Sequence, residues 1–267
     1  MGTILDRYGI KEVADVTFYE LDSNGKACAP VLFLDTLKVS TIEQTAEQAE
    51  ARGGKGNPPL IIWDYGKEIN VTLEDALFSA KSMAIMFGDG KVTTPTNTKI
   101  VKTVAVSSIE TEGSTNYVMV GGKKITITES TASWFAADGT PTTGKTGASF
   151  ATFEITASDL GEIVISANSF PGTYYVTGDT YARSEASGKD EFFQFIIPKA
   201  KVQSENTITL EAEGDPSVFN MSLRVLRPSN GEMMKLVKYQ VNDGNSSVVA
   251  DTDFALKTTT NTTNAEG

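Results

Sequence analysis

The run Val16-Thr17-Phe18-Tyr19-Glu20-Leu21, then Asp22-Ser23-Asn24-Gly25 and Val31-Leu32-Phe33-Leu34, decides the fold class of this chain. Short runs of β-branched and aromatic residues, punctuated by turn residues, are the signature of strands. Asn24-Gly25 is a dipeptide that supplies the positive φ angles of a tight hairpin turn. The chain is therefore expected to open with a β-hairpin that continues into Leu37-Lys38-Val39.

The same pattern recurs outward from this hairpin. Strands are expected at 60–65 and 67–71 around Gly66, with Ile69 and Val71 on one face and Glu68 and Asn70 on the other. Further candidates lie at 100–106, 117–120 and 125–128, with Gly121-Gly122 as the turn between the last two. Then come 150–155, 162–166, 174–177, 191–197 (ended by Pro198), 207–212, 217–226 and 233–239. Thr72-Leu73-Glu74-Asp75 has the form of a helix start, a threonine cap with a carboxylate three residues on. Leu73, Leu77, Ala80 and Ala84 keep helical spacing, so a helix is expected over 73–87, closed by Gly88.

The segment 40–59 stands apart, with Ile42 its only large apolar residue. Ser40 and Glu43 have capping-box spacing, which predicts a helical turn or two, and the Gly/Pro-rich second half predicts irregular chain. A loop this long within a compact domain is uncommon. It is either a surface excursion or an arm that orders against a neighbouring subunit.

These elements are expected to divide the chain into a first half of a β core (1–90), a Thr/Ser/Gly-rich β insertion or elaboration (91–147), a second half of the core (148–242) and a low-complexity C-terminal tail (243–267). The fold expected is mainly β: a β-sandwich or half-barrel with one flanking helix and a long extended arm loop.

The 267 residues contain no histidine and one cysteine, Cys28. The usual proton shuttle and commonest metal ligand are missing, so catalytic, cofactor-binding and metal-ligating residues are expected to number none. One cysteine excludes an intramolecular disulfide framework and fits synthesis in a reducing compartment. The start lacks the basic region and apolar core of a signal peptide, and Asp6 does not fit a myristoylation signal. No stretch is apolar enough to span a bilayer as a helix. The net charge of −11, from 34 acidic against 23 basic side chains, opposes binding to polyanions. An acidic surface can also let nucleic acid pass without sticking.

Other constellations fit bland roles better. Gly53-Gly54-Lys55-Gly56-Asn57 departs from the phosphate-loop pattern and precedes a strand. Asp22-Ser23-Asn24-Gly25 resembles the start of a calcium loop, but Phe33 stands where a bidentate glutamate is needed. Glu211, Glu213 and Asp215 alternate on one strand face, whereas glycoside hydrolysis needs two carboxylates across a cleft. Trp63, Tyr65 and Trp134 fit core or interface packing, with a carbohydrate platform as the alternative.

The hairpin, the polar arm, and the run Gly-Lys-Glu-Ile-Asn-Val-Thr-Leu-Glu-Asp-Ala-Leu-Phe-Ser (66–79) form one half of a resemblance. The runs Phe-Gln-Phe-Ile-Ile-Pro-Lys-Ala-Lys-Val (193–202) and Ile-Thr-Leu-Glu-Ala-Glu-Gly-Asp-Pro-Ser-Val-Phe-Asn-Met-Ser-Leu-Arg-Val-Leu (208–226) form the other. Over 16–87 and 150–239 the chain resembles the tail tube (major tail) proteins of long-tailed bacteriophages, especially those of Gram-positive hosts. The resemblance implies a non-enzymatic virion protein, made in the host cytoplasm, that forms hexameric rings stacked into a tube for DNA ejection. It implies an arm that reaches a neighbouring subunit, for which Glu43, Glu47, Arg52, Lys55 and Asn57 are the candidate contacts. Glu68 and Glu211 are the candidate lumen-facing acids, from strand alternation. The implied partners are further copies of the chain and tape-measure, tail terminator and baseplate proteins, with DNA passing transiently and no membrane. Alternatives are another β-rich virion component, such as a capsid decoration or baseplate protein, and a carbohydrate-binding or adhesive module.

Overall fold

A computed structural model describes residues 7–96, 98–157, 161–208 and 218–239. In chain order the elements are β1 (Tyr8–Ile10), β2 (Asp15–Leu21), β3 (Ala27–Leu34), β4 (Leu37–Arg52), β5 (Pro59–Asp75), α1 (Ala80–Phe87), β6 (Lys99–Ala105), β7 (Glu110–Glu112) and β8 (Thr115–Val120). There follow β9 (Lys123–Ile127), β10 (Ala132–Phe135), β11 (Pro141–Thr142), β12 (Phe150–Thr156), β13 (Thr173–Ser184), β14 (Asp190–Val202), β15 (Phe219–Val225) and β16 (Lys235–Tyr239). The fold is mainly β, as expected, and divides into two compact units.

The larger unit, from Met1–Val92 and Ile163–Gly267, holds an antiparallel sheet in the order β3-β2-β13-β14-β15-β5-β4. The short β1 extends the β2 edge of β13, and β16 pairs with β14 beside β15. Alternation puts one face of each strand inward: Val16 and Phe18 from β2, Tyr174 and Val176 from β13, Ile69, Val71 and Leu73 from β5. With Phe195, Ile197, Leu223 and Val225 they form one buried cluster, joined by Ile85 and Met86 of α1. Strands β3 and β4 occupy opposite ends of the sheet, yet only Asp35 and Thr36 separate Leu34 from Leu37. A link that short spans roughly 10 Å, so the sheet must curl until its two ends meet, with Leu34 and Leu37 buried in the same cluster. The half-barrel character follows from this corner, and no ladder between β3 and β4 closes it among the described residues.

The first turn differs from its expected form. Only Gly25 has positive φ, 77°. The carboxylate of Asp22 organises the rest, accepting the backbone N–H groups of Asn24 and Lys26 at 2.8 Å each. Those donors, Lys26 first, hold the Asp22 carboxyl below its ordinary pKa. A depressed folded-state pKa stabilises above the unfolded value, and the contribution is lost as pH falls through the folded one. An NMR titration is therefore expected to place the Asp22 midpoint below about 3.9, with turn shifts changing in the same acid window; a midpoint at or above that value would remove the role of the two amides.

Other differences have physical causes. The expected helix over 73–87 is confined to Ala80–Phe87, because Leu73 pairs with Met221 and continues the inward alternation of Ile69 and Val71. Asp75 turns the corner instead of capping a helix: its Oδ1 accepts from Thr36 Oγ1 at 2.5 Å and from the Leu77 N–H at 3.2 Å. Ser79 is the actual cap, in a reciprocal box with Ser82, and Gly88 ends the helix. The expected arm loop over 40–59 is instead largely two strands, with neither helical turns nor loop before Gly53. Pro198 does not end its strand. It lies at a bulge where pairing shifts from Val176↔Ile197 to Tyr174↔Ala200, so its missing N–H disrupts no ladder. The segment 162–166 forms no strand beyond the single bridge Thr93↔Glu162. The expected strand at 207–212 lies outside the described residues from 209 on, as do Glu211, Glu213, Asp215 and the tail from 240.

The smaller unit, Thr93–Glu162, has its own core. A four-stranded sheet, β11-β10-β12-β6, and a three-stranded one, β7-β8-β9, bury Ile109, Val118, Ile127, Trp134, Ala151 and Phe153. Residues 150–155, expected in the second half of the main core, pair here with β6, because Ala151 and Phe153 alternate onto the face that meets Trp134. Gly121 and Gly122 both have positive φ, 56° and 75°, and form the tight turn between β8 and β9. Lys145 Nζ donates to Ile109 O (3.2 Å), Thr111 Oγ1 (3.0 Å) and Asn116 Oδ1 (3.3 Å), tying a loop to the three-stranded sheet.

Candidate assembly interface

The arm is the outer part of the β4–β5 hairpin. Near the core, Ile69, Val71 and Leu73 of β5 are buried. Beyond Gly66 every residue of the hairpin is exposed or half-buried. Gly66, with φ 62°, lies at a bulge where pairing steps from Thr45↔Glu68 to Glu47↔Tyr65.

Directly paired residues share a face, so the outer register sorts the side chains. One face carries Glu47/Tyr65, Ala49/Trp63 and Ala51/Ile61; the other carries Gln48/Asp64 and Glu50/Ile62. That second face carries the arm's polar contacts, with Gln48 Nε2 donating to Asp64 Oδ1 at 2.9 Å and Arg52 paired with Glu50 at 2.5 Å, beside exposed Leu60 and Ile62. The opposite face is an apolar stripe in water, with Ile61 52%, Trp63 53% and Tyr65 52% exposed. A lone two-stranded hairpin is marginal in water, and contiguous exposed apolar surface marks an interaction site. That stripe can be buried only against another surface.

The predicted site residues fall as follows. Glu43 stands opposite Asn70, and Glu47 opposite Tyr65. Lys55 and Asn57 occupy the tip, where Asn57 takes φ 50° and donates its N–H to Gly54 O at 3.1 Å. Glu68 forms an ion pair with Arg224 of β15 on the solvent side of the sheet. Glu211 lies outside the described residues. The tip brings Lys55 and Asn57 together near Arg52, whereas Glu43 and Glu68 lie at the arm's root. Trp134 is buried, 2% exposed, so it does not join Trp63 and Tyr65 in a platform. The stripe itself was legible as the alternation Ile61-Trp63-Tyr65, a period of two within an apolar run.

Two other surfaces complete the inventory. A hollow of about 510 Å³ beside β1 is lined by Lys11, Glu12, Asp15, Asp179, Tyr181 and Arg183, among others. Its charges are partly spent within the chain: Arg183 pairs with Asp190 at 2.6 Å, and Asp179 accepts from Gln194 and Tyr239. Among the described residues no cluster of three or more His, Cys, Asp or Glu could hold a metal ion, and no helix is long and apolar enough to cross a membrane.

The larger unit is thus a curled antiparallel sheet with one short helix and a projecting hairpin whose apolar face is exposed. The chain belongs to the YomU/Tube protein family, whose model matches residues 8–238. A tail tube protein of Bacillus phage SPR is 32% identical over 80 residues. That alignment covers 30% of this chain and 28% of the phage protein's own length.

Proposed function

We propose that this chain is the repeating subunit of a phage tail tube, assembling into hexameric rings that stack around a lumen. The observation that carries the proposal is the apolar stripe of Ile61, Trp63 and Tyr65 on an arm that its own core does not cover, in a chain of the YomU/Tube family. In the assembly the arm lies on a neighbouring copy, with Glu43 and Glu47 along its length and Arg52, Lys55 and Asn57 at or near its tip as polar contacts. An arm and its receiving surface are different patches of one chain, so the contact is heterologous and repeats from copy to copy, within a closed ring or from one ring to the next.

The solvent face of the main sheet, which carries Glu68, is the proposed lumen wall, with Glu211 as the second candidate acid. The net charge of −11 suits a conduit through which DNA slides during ejection. No catalytic step is assigned. The partners proposed are further copies of the chain and the tape-measure, terminator and baseplate proteins of a tail; the location is the virion tail, after synthesis in the host cytoplasm.

Electron microscopy and sedimentation of the purified chain at rising concentration test this. Hollow stacked polymers are expected. A persistent monomer would overturn the proposal, and small closed oligomers would favour a capsid decoration role in its place.

A further inference from the structure

A second exposed apolar surface lies around α1, at the far end of β5 from the arm. Leu77 and Phe78, just before the helix, are 64% and 56% exposed, and Phe78 is braced on Phe219 with ring centroids 4.4 Å apart. At the other end of α1, the loop carrying Val164, Ile165 and Phe170 leaves these residues 61–65% exposed. That loop abuts the helix C-terminus: a side chain on Gly88 would meet Ser169 Oγ and Val164 O at 3.8 Å. An eight-residue helix is about 12 Å long, so both groups fall within the footprint of one hairpin.

We propose that this surface receives the apolar stripe of the arm from a second copy of the chain. The inference rests on the assembly role proposed above and names the acceptor that the role requires. Three observations carry it. The stripe cannot reach the patch of its own chain: from Trp63 to Asp75 the strand runs roughly 40 Å at about 3.3 Å per residue, and Leu77 lies beyond that end. Donor and acceptor therefore sit at opposite ends of one continuous strand, the arrangement that makes head-to-tail contact repeat.

The areas are of the same order. Large side chains present about 150–250 Å² each, so five of them a little over half exposed offer roughly 500 Å² on the patch. Ile61, Trp63 and Tyr65, each about half exposed, offer roughly 300 Å² on the arm. The sum is about 800 Å² of apolar side chain, and backbone and polar contacts along the arm supply the rest of the roughly 1,000 Å² that a specific interface needs. Finally, the chemistry matches: the five acceptor side chains are aliphatic or phenyl groups, and the stripe brings two aromatic rings and an isoleucine.

The test uses full-length chains. Trp63→Glu removes the donor; Leu77→Glu with Ile165→Glu removes the acceptor, at sites exposed enough for the fold to persist, which thermal unfolding checks. Each variant alone is expected to raise the concentration needed for polymerisation at least about tenfold, the equivalent of 1.4 kcal/mol. Mixed in equal amounts, the two are expected to form a new finite complex, because one intact arm then meets one intact patch. An acceptor variant that polymerises like the parent, while Trp63→Glu does not, overturns this assignment and leaves the assembly role standing. A mixture that stays unassociated also overturns it. A parent chain that never polymerises removes the assembly role, and this inference with it. If the double variant loses its unfolding transition, Leu77→Ser replaces it, with the same outcomes.

Discussion

Serine at Ile61, Trp63 and Tyr65 together is expected to give a chain that folds and melts like the parent but no longer self-associates. Each side chain is about half exposed and touches no buried cluster, so its removal costs the folded subunit little; substitutions at such positions fall within about 0.5 kcal/mol. In the assembly the same side chains each bury on the order of 100 Å², worth roughly 2.5 kcal/mol at about 25 cal/mol/Å², so the three together contribute up to roughly 7.5 kcal/mol per contact before the entropic cost of association. The polar residues of the arm compare poorly with that. Exposed charges such as Glu43, Glu47 and Lys55 are worth about 0–1 kcal/mol per ion pair, so Lys55→Ala is expected to change the assembly threshold only slightly. Sedimentation velocity beside thermal unfolding separates the two effects. Normal polymers from the triple-serine chain would show that the stripe is not the contact surface.

The core was legible because burial writes itself into every second residue. Val16 and Phe18, Ile69 and Val71, and Phe195 and Ile197 all alternate, and all are buried. The extent of α1 was misjudged where two periods coexist: Leu73, Leu77, Ala80 and Ala84 fit a helix, while Ile69, Val71 and Leu73 fit a strand. Pairing of Leu73 with Met221 decides between them, and that partner lies far away in sequence. The Glu68–Arg224 ion pair, 156 residues apart, and the pairing of β12 with β6 were invisible for the same reason.

The arm shows a sharper conflict. Glu-Gln-Thr-Ala-Glu-Gln-Ala-Glu-Ala (43–51) consists mostly of good helix formers, yet it is a strand from end to end. A helix there would have no apolar face to bury, whereas β5 offers a ladder of β-branched and aromatic partners. Departures from local preference concentrate where a chain carries function. Here the local composition keeps one strand polar and soluble, and the exposed stripe on its partner strand is left for another surface to cover.

Alanine at Gly178 is expected to destabilise the larger unit more than any other single methyl added at a described glycine. Gly178 sits in the middle of β13, paired with Phe195 on one side and Val16 on the other. The Phe195 ring lies across it, so an added Cβ would stand 2.1 Å from Cζ and 2.2 Å from Cε1. The glycine is required for space, since its φ lies outside the left-handed region. The ring has little room to retreat: Phe195 is 3% exposed and belongs to the same cluster as Val176 and Ile197. Overpacking a core costs about 1–3 kcal/mol, and contacts this short belong at the upper end. The lower conformational entropy of the unfolded chain on replacing glycine offsets only about 0.4–1 kcal/mol. At about 2–4 °C per kcal/mol for a chain of this size, Gly178→Ala is expected to lower the unfolding temperature by roughly 4–10 °C. Gly9→Ala, also in a strand with nothing within 4 Å of the new methyl, is the matched control and is expected to be near neutral. Because the two side chains would share one space, Phe195→Leu should cost less in the Gly178→Ala background than alone, a coupling that a double-mutant cycle measures. Additive effects would mean that the ring moves aside freely, and that the packing of β13 against β14 is looser than the buried faces of these strands imply.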